Sequence, residues 1–326
     1  MSVLVLGGAG YIGSHVAYAL SQEGCEVVVV DNLSTGHEAA ARFGKFYAGD
    51  VRDAAFLDGV FRAEKIDAVF NFSAMSLVGE SVTAPLQYYN NNVGGAISLL
   101  ETMATHGVKK MIFSSTAAVY GEPTQIPILE DAATVPTNPY GETKLAIEKM
   151  LSWCEKAHGI QFVSLRYFNV AGANGEQGIG EDHKNETHLI PIVLQVALGR
   201  RANMQIFGTD YNTPDGTCIR DYIDVRDLSA AHVLALKYLN MGGESNVFNL
   251  GNGKGFSVRE IIAAAREVTG KEIPVVEAKR RAGDPDILVA SGEKAAAILG
   301  WKPHYTAVED IISSAWQWHV NQPDGF

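Results

Sequence analysis

The first 170 or so residues alternate short, almost wholly apolar runs with amphipathic stretches, and this alternation constrains the fold more than any other feature. Val3-Leu4-Val5-Leu6 is followed by a helical pattern from Tyr11 to Gln22 and then by Glu26 to Val30. The runs at Lys45-Phe46-Tyr47, Ala68-Val69-Phe70-Asn71, Lys110 to Ser114 and Gln161 to Arg166 have the same character. Helical periodicity covers Asp53 to Ala63, Pro85 to His106 and Pro139 to His158. Strands without a polar face, separated by helices, predict a parallel sheet covered on both sides. The expected class is therefore α/β, a Rossmann-type doubly wound sheet. From Gly172 to Asp215 the composition shifts to Gly, Asn, Asp and Thr and the alternation loosens. That shift predicts a smaller mixed α/β carboxy-terminal substrate lobe. We expect two interleaved parts, a body of residues 1–171 and 216–252 and a lobe of residues 172–215 and 253–326.

Gly7-Gly8-Ala9-Gly10-Tyr11-Ile12-Gly13 closes the first strand and opens the first helix. Glycine at 7, 10 and 13 permits a tight turn, close approach of a pyrophosphate and close packing of helix on sheet. The amides at the start of that helix, around Tyr11 and Ile12, then face the phosphates. Asp31 ends the second strand, where its carboxylate can accept from both hydroxyls of an adenosine ribose and repel a 2′-phosphate. The predicted cofactor is NAD rather than NADP. Asn32 adjoins it, and Asp50-Val51 after the third strand are candidates to meet the adenine.

Tyr140 and Lys144 stand four residues apart at the start of a helix introduced by Asn138-Pro139, so both side chains share one face. Thr116 lies just beyond the Lys110 to Ser114 strand, at the edge where open parallel sheets gather their ligands. A tyrosine is a poor base at pH 7. Lowering it by about three units takes about 4 kcal/mol, which a neighbouring ammonium and the positive ring of NAD can supply in a partly dry site. Thr116 would hydrogen-bond the same substrate hydroxyl.

Composition removes other classes. Asp and Glu number 37 against 26 Lys and Arg, a formal charge of −11, which argues against nucleic acid and anionic membranes as partners. It does not argue against a diphosphate ligand, because binding depends on where charge sits rather than on its sum. Cys25, Cys154 and Cys218 are far apart, which suits buried thiols in a reducing cytoplasm. No apolar run approaches the roughly 20 residues that span a bilayer. His183 and His188 are not at metal-ligand spacing on a helix, so a solvated loop and no metal are expected. Trp301, Trp316 and Trp318 read as packing residues.

The glycine loop, Asp31-Asn32-Leu33, Ser114-Ser115-Thr116, Tyr140-Gly141-Glu142-Thr143-Lys144 and Arg166-Tyr167-Phe168-Asn169 together resemble the extended short-chain dehydrogenase/reductases. Val78-Gly79-Glu80-Ser81-Val82, the run from Gln205 through Asp215-Gly216-Thr217 to Arg220-Asp221-Tyr222, and Arg281-Ala282-Gly283-Asp284-Pro285 look like the UDP-sugar 4-epimerase branch of that family. The resemblance implies an NAD-dependent inversion at sugar carbon 4 through a 4-keto sugar, with Tyr140 as base, Thr116 beside it and Lys144 both on the nicotinamide ribose and lowering the tyrosine's pKa. It implies nucleotide-sugar contacts from Asn169, Arg220 and Arg281, with Asp284 nearby and Phe207 framing the uracil. It also implies a homodimer built on the Pro85–His106 and Pro139–His158 helices.

Ser76, after Met75, stands where relatives carry a cofactor-proximal lysine. His188 falls where others have asparagine and is expected to line the substrate pocket. Leu288 falls where a bulky or a small residue decides entry of an N-acetyl group, so UDP-GlcNAc/UDP-GalNAc, UDP-uronates and UDP-pentoses stay open beside UDP-glucose/UDP-galactose. Ala117-Ala118 replaces the acid pair with which related dehydratases eliminate water. A non-catalytic NAD-binding sensor would have no need of Thr116, Tyr140 and Lys144 together.

Overall fold

A computed structural model describes residues 1–280 and 284–326. The chain begins β1 (Ser2–Leu6), α1 (Tyr11–Gln22), β2 (Glu26–Asp31), β3 (Lys45–Ala48), α2 (Ala54–Ala63) and β4 (Ala68–Asn71). It continues α3 (Val78–Thr83), α4 (Pro85–Tyr88), α5 (Gly95–His106), β5 (Lys110–Ser114), α6 (Pro139–His158), β6 (Gln161–Tyr167) and β7 (Asn169–Ala171). Then come α7 (Leu189–Ala197), β8 (Met204–Phe207), β9 (Ile219–Asp224), α8 (Val225–Asn240), β10 (Asn246–Leu250), β11 (Gly255–Ser257) and α9 (Val258–Thr269). The last elements are β12 (Val275–Ala278), β13 (Ile287–Leu288), α10 (Glu293–Leu299) and α11 (Val308–Asn321).

Seven parallel strands form the main sheet in the order β10-β6-β5-β4-β1-β2-β3. The order reverses between β1 and β4, a switch point of the kind at which doubly wound sheets bind ligands. Each strand serves two cores because successive side chains point to opposite faces. Val3, Val5, Val27 and Val29 pack with Val16, Leu20 and Leu236, while Leu4, Leu6, Val28 and Val30 pack with Leu57, Leu99 and Leu151. This two-sided burial is the reason the strands read as unbroken apolar runs.

A second sheet has the order β11-β9-β13, with β7 added against β9, and β12 pairs with β8. Helices α7, α9 and α11 cover a third core around Ile190, Leu194, Ile261 and Ile311. Strand β9 lies in this small sheet, whereas the α8 and β10 that follow it return to the main body. No helix among the described residues is long and apolar enough to cross a membrane.

The helical stretch from Pro85 to His106 is not one regular helix. A wide π-helical turn, Tyr89–Gly94, separates α4 from α5. Asn92 accounts for the irregularity: its buried amide leaves the helix to accept from the Met75 backbone N–H (2.8 Å) and to donate to the Met75 carbonyl (3.0 Å) and Thr143 Oγ1 (3.0 Å). Such insertions recur at functional sites.

Candidate active site

The dinucleotide cradle is built by close backbone approach. Gly7 has φ +72°, and a Cβ on Gly13 would fall 2.1 Å from the Gly7 carbonyl oxygen, so a side chain at 13 would displace the turn. Helix α1 starts from Gly10 with no side-chain cap, which leaves its first amides available to an anion. Tyr11 heads that helix and donates from its hydroxyl to the Gly172 carbonyl (2.7 Å), while Ile12 packs on the core. Asp31 ends β2 beside the loop, accepting from the amides of Ala9 (3.0 Å) and Leu33 (2.8 Å). Leu33 holds φ +57°, a left-handed conformation rare for leucine. These residues fit a dinucleotide: uncapped amides for the pyrophosphate and a carboxylate at the next strand end.

Asp50 is more engaged than the sequence suggests. Arg52 meets it with both Nε (2.8 Å) and Nη2 (2.7 Å), and Asn32 Nδ2 donates to it (3.0 Å). The guanidinium hydrogen bonds hold the Asp50 carboxyl well below the usual carboxylate range. Arg52 is absent from the sequence-derived set, although its place two residues after Asp50 was a visible signal. Val51 buries its side chain against Gly95.

Helix α6 carries the tyrosine and the lysine. Asn138 caps it by accepting from the Gly141 amide (2.9 Å), Pro139 occupies its first turn, and Gly159 ends it with φ +66°. The cap and the proline place Tyr140 and Lys144 in the first two turns, under the carboxyl end of β5. Thr116 follows β5 and lies beside Tyr140. Burial pushes Tyr140 up to about 12, with the Thr116 hydroxyl pulling the other way. Lys144 is buried too, which brings it down to about 7 against the favourable field of Glu148. Its Nζ lies 5.9 Å from the Tyr140 ring centroid and donates to the Ser114 carbonyl. Among the protein's own groups desolvation outweighs the Thr116 contribution and holds Tyr140 above the ordinary phenol value.

Across the sheet edge, β9 and β13 run side by side with Arg220 opposite Leu288. Arg220 donates to Asp284 Oδ1 (2.5 Å) and to the Pro285 carbonyl (2.8 Å), so its local partner is Asp284 rather than Asp221. Tyr211 also donates to Asp284 (2.8 Å). Asn169 donates to the Asp221 carbonyl (3.1 Å), and Phe207 ends β8. Leu288 packs on a small cluster of Ala117, Val119, Tyr120 and Leu145, which links this wall to the Thr116 turn. Arg281 lies outside the described residues.

The chain matches the NAD dependent epimerase/dehydratase family over residues 3–251. It belongs to that family. A UDP-glucose 4-epimerase of Halalkalibacterium halodurans is 58% identical over 326 residues, covering 100% of this chain and 98% of the relative. A crystal structure of UDP-glucose 4-epimerase superposes with a TM-score of 0.98 at 61% identity, covering 100% of this chain and 99% of the other. The Bifidobacterium longum UDP-glucose 4-epimerase in complex with NAD+ and UDP gives a TM-score of 0.94 at 41% identity, covering 100% of both chains.

Two supports of this family member's site escape sequence reasoning. Asn92 ties the loop after β4 to α6, and its signal was the Asn90-Asn91-Asn92 run interrupting an apolar helix. Glu148, one turn beyond Lys144, is buried between Ser115 Oγ (2.6 Å) and Arg166 (Nε 2.9 Å, Nη2 2.5 Å). Arg166 also donates to Tyr120 (2.8 Å), whose hydroxyl donates to Asn249 (2.7 Å). This chain of buried bonds fixes α6 against β5 and β6, and therefore fixes Lys144.

His183 and His188 depart from the solvated loop expected of them. Each turns Nδ1 toward the buried carboxylates of Glu181 and Glu186. Burial opposes charge on both rings, but the hydrogen bonds they donate to the two carboxylates outweigh it and hold His183 at about 9 and His188 at about 10. Nδ1 of His188 is therefore directed at these carboxylates, while its side chain remains 42% exposed.

Proposed function

We propose that the chain catalyses the NAD-dependent 4-epimerisation of a UDP-hexose, interconverting UDP-glucose and UDP-galactose. The observation that carries this reading is Tyr140 beside Thr116, with Lys144 buried near it, at the carboxyl edge of the sheet that also holds the Gly7–Gly13 turn. NAD, when bound, supplies the acceptor and donor for the hydride of carbon 4 and a positive ring beside Tyr140. Gly7, Gly10, Tyr11, Ile12, Gly13, Asp31 and Asn32 would hold it, and Lys144 would meet its nicotinamide ribose.

Tyr140 takes the proton of the sugar's 4-hydroxyl as that carbon becomes a ketone, and returns it when the alcohol re-forms. Thr116, beside Tyr140, hydrogen-bonds the same hydroxyl and orients it. Arg220 meets the diphosphate with its planar fork by exchanging Asp284 for phosphate oxygens. Arg281, Asn169 and Phe207 serve the same nucleotide. Ala117 and Ala118 follow Thr116, so no acid–base pair stands there to eliminate water. The division into a body (1–171, 216–252) and a lobe (172–215, 253–326) belongs to the same reading, with β7 and β9 crossing from the body's stretches into the lobe's small sheet, the cofactor on the body and the sugar between the two.

We also propose a homodimer in the cytoplasm. Leu86, Tyr89, Ile97 and Trp153 are exposed on α4, the π turn, α5 and α6, and Trp153 leaves 68% of its surface open. Such apolar exposure fits a self-associating helix pair.

Incubation with UDP-galactose, UDP-GalNAc and UDP-galacturonate in separate reactions, with the sugars resolved, tests the assignment. Conversion of UDP-galactose to UDP-glucose is the expected result; no turnover of UDP-galactose refutes it.

A further inference from the structure

Four side chains of one short segment before α7 converge. Glu181, His183, Glu186 and His188 each present one donor atom, and these atoms all lie within 4.8 Å of one another. His183 Nδ1 is 3.3 Å from both Glu181 Oε1 and Glu186 Oε2, and His188 Nδ1 is 3.0 Å from Glu181 Oε1 and 2.7 Å from Glu186 Oε1. Ligands about 2.0–2.1 Å from a tetrahedral zinc stand about 3.3 Å apart, close to this spacing.

The carboxylates are buried, with side chains 5% and 3% exposed, and Glu186 is set in place beforehand. Its Oε1 accepts from the backbone amides of Thr187 and His188, both at 2.7 Å, which turns Oε2 toward His183. Loading a metal displaces the ring protons, after which two carboxylates and two imidazoles carry −2 together, the complement of a dication. Calcium and magnesium ask for six or more oxygen ligands, whereas two imidazoles suit a d-block ion. His188, whose side chain is 42% exposed, leaves a path for the ion to enter.

We propose that Glu181, His183, Glu186 and His188 form a binding site for a divalent d-block cation, zinc first among them. The site lies where several parts of the fold meet. His188 caps α7; Trp318 of α11 packs over Gly180, within 2.3 Å of where a Cβ would stand; and His37 lies 3.0 Å from the Asp182 carbonyl. The ion clips the lobe's entry segment to α7 and holds it against the residues that follow β2. The sequence spacing gave no such expectation, because the four ligands lie on an irregular segment whose path only the fold determines.

The test is zinc content after loading with zinc sulfate and removal of unbound ion by gel filtration, measured by plasma mass spectrometry. About one zinc per chain is expected for the parent, falling at least about fivefold in Glu186→Gln and in His183→Asn, each checked for native circular dichroism. Anomalous scattering from zinc-loaded crystals of the parent, which needs no variant, places the ion between the four side chains if the proposal holds. Failure of the parent to retain zinc, an anomalous peak elsewhere, or equal zinc in natively folded variants overturns it.

Discussion

Lys144 donates from Nζ to the backbone carbonyl of Ser114 at 2.8 Å, so the lysine of α6 is anchored on the end of the central strand β5. The bond fixes where its charge can act. Its Nζ lies 5.9 Å from the Tyr140 ring centroid, and burial holds the phenol above its ordinary value. Ionising a group at about 12 near pH 7 takes about 7 kcal/mol, at roughly 1.4 kcal/mol per pH unit. Lys144, at about 7, is itself only partly charged there.

The missing stabilisation is therefore expected to arrive with the oxidised cofactor. Tyrosinate absorbance, taken as the difference between the parent and Tyr140→Phe, should show Tyr140 ionising several pH units lower with NAD+ bound than without it. Identical titrations in the two states would mean that the cofactor's charge is not what activates the phenol.

Acid stability should depend on two buried histidines. Burial brings His15 and His232 down to about 4, from about 6.5 in an unfolded chain. Between pH 6.5 and 4 the unfolded state binds protons that the folded state cannot. Stability therefore falls as pH drops through that window, by about 3 kcal/mol for each ring. Asp221 has the opposite sign: burial raises it to about 7, so the folded state keeps its proton and stability falls as pH rises from about 4 to 7. Urea midpoints at pH 7 and pH 5 should differ less in His232→Leu, and more in Asp221→Asn, than in the parent.

Two glycines separate close approach from ordinary helix propensity. A methyl at Gly13 would meet the Gly7 carbonyl at 2.1 Å, so Gly13→Ala should lose NAD, read as cofactor absorbance after gel filtration. Gly59 lies exposed within α2 with nothing within 4 Å of an added Cβ, and Gly59→Ala should stabilise by about 0.5–1 kcal/mol in urea titration.

Arg220 should matter for binding more than for chemistry. Its guanidinium is held ready on Asp284, and removal of a charge-assisted contact to a diphosphate costs about 1.5–3 kcal/mol. Arg220→Met is expected to raise KM for UDP-galactose by roughly 10- to 100-fold with a smaller change in kcat. A fall in kcat alone would place Arg220 elsewhere in the cycle.

Much of this was legible in the chain because the signals are local. Gly7, Gly10 and Gly13 state their own backbone geometry, the apolar runs state two-sided burial, and Tyr140–Lys144 states a helix face. What escaped depends on distant partners. Asn92 breaks its helix because Met75 and Thr143 lie opposite, and nothing near residue 92 in the chain records that. Glu148 and Arg166 are 18 residues apart and meet only across α6 and β6. The raised Tyr140 was illegible for the same reason, since desolvation belongs to the packed site and not to the residue.

Replacement of the phenol by a ring without the hydroxyl removes the proton acceptor and little else. Tyr140→Phe should bind NAD as the parent does and lose UDP-galactose epimerisation by at least about 10²–10⁴-fold in kcat, the range for loss of a general base. Turnover at the parental rate in a variant that retains NAD would contradict Tyr140 as the proton-transferring group.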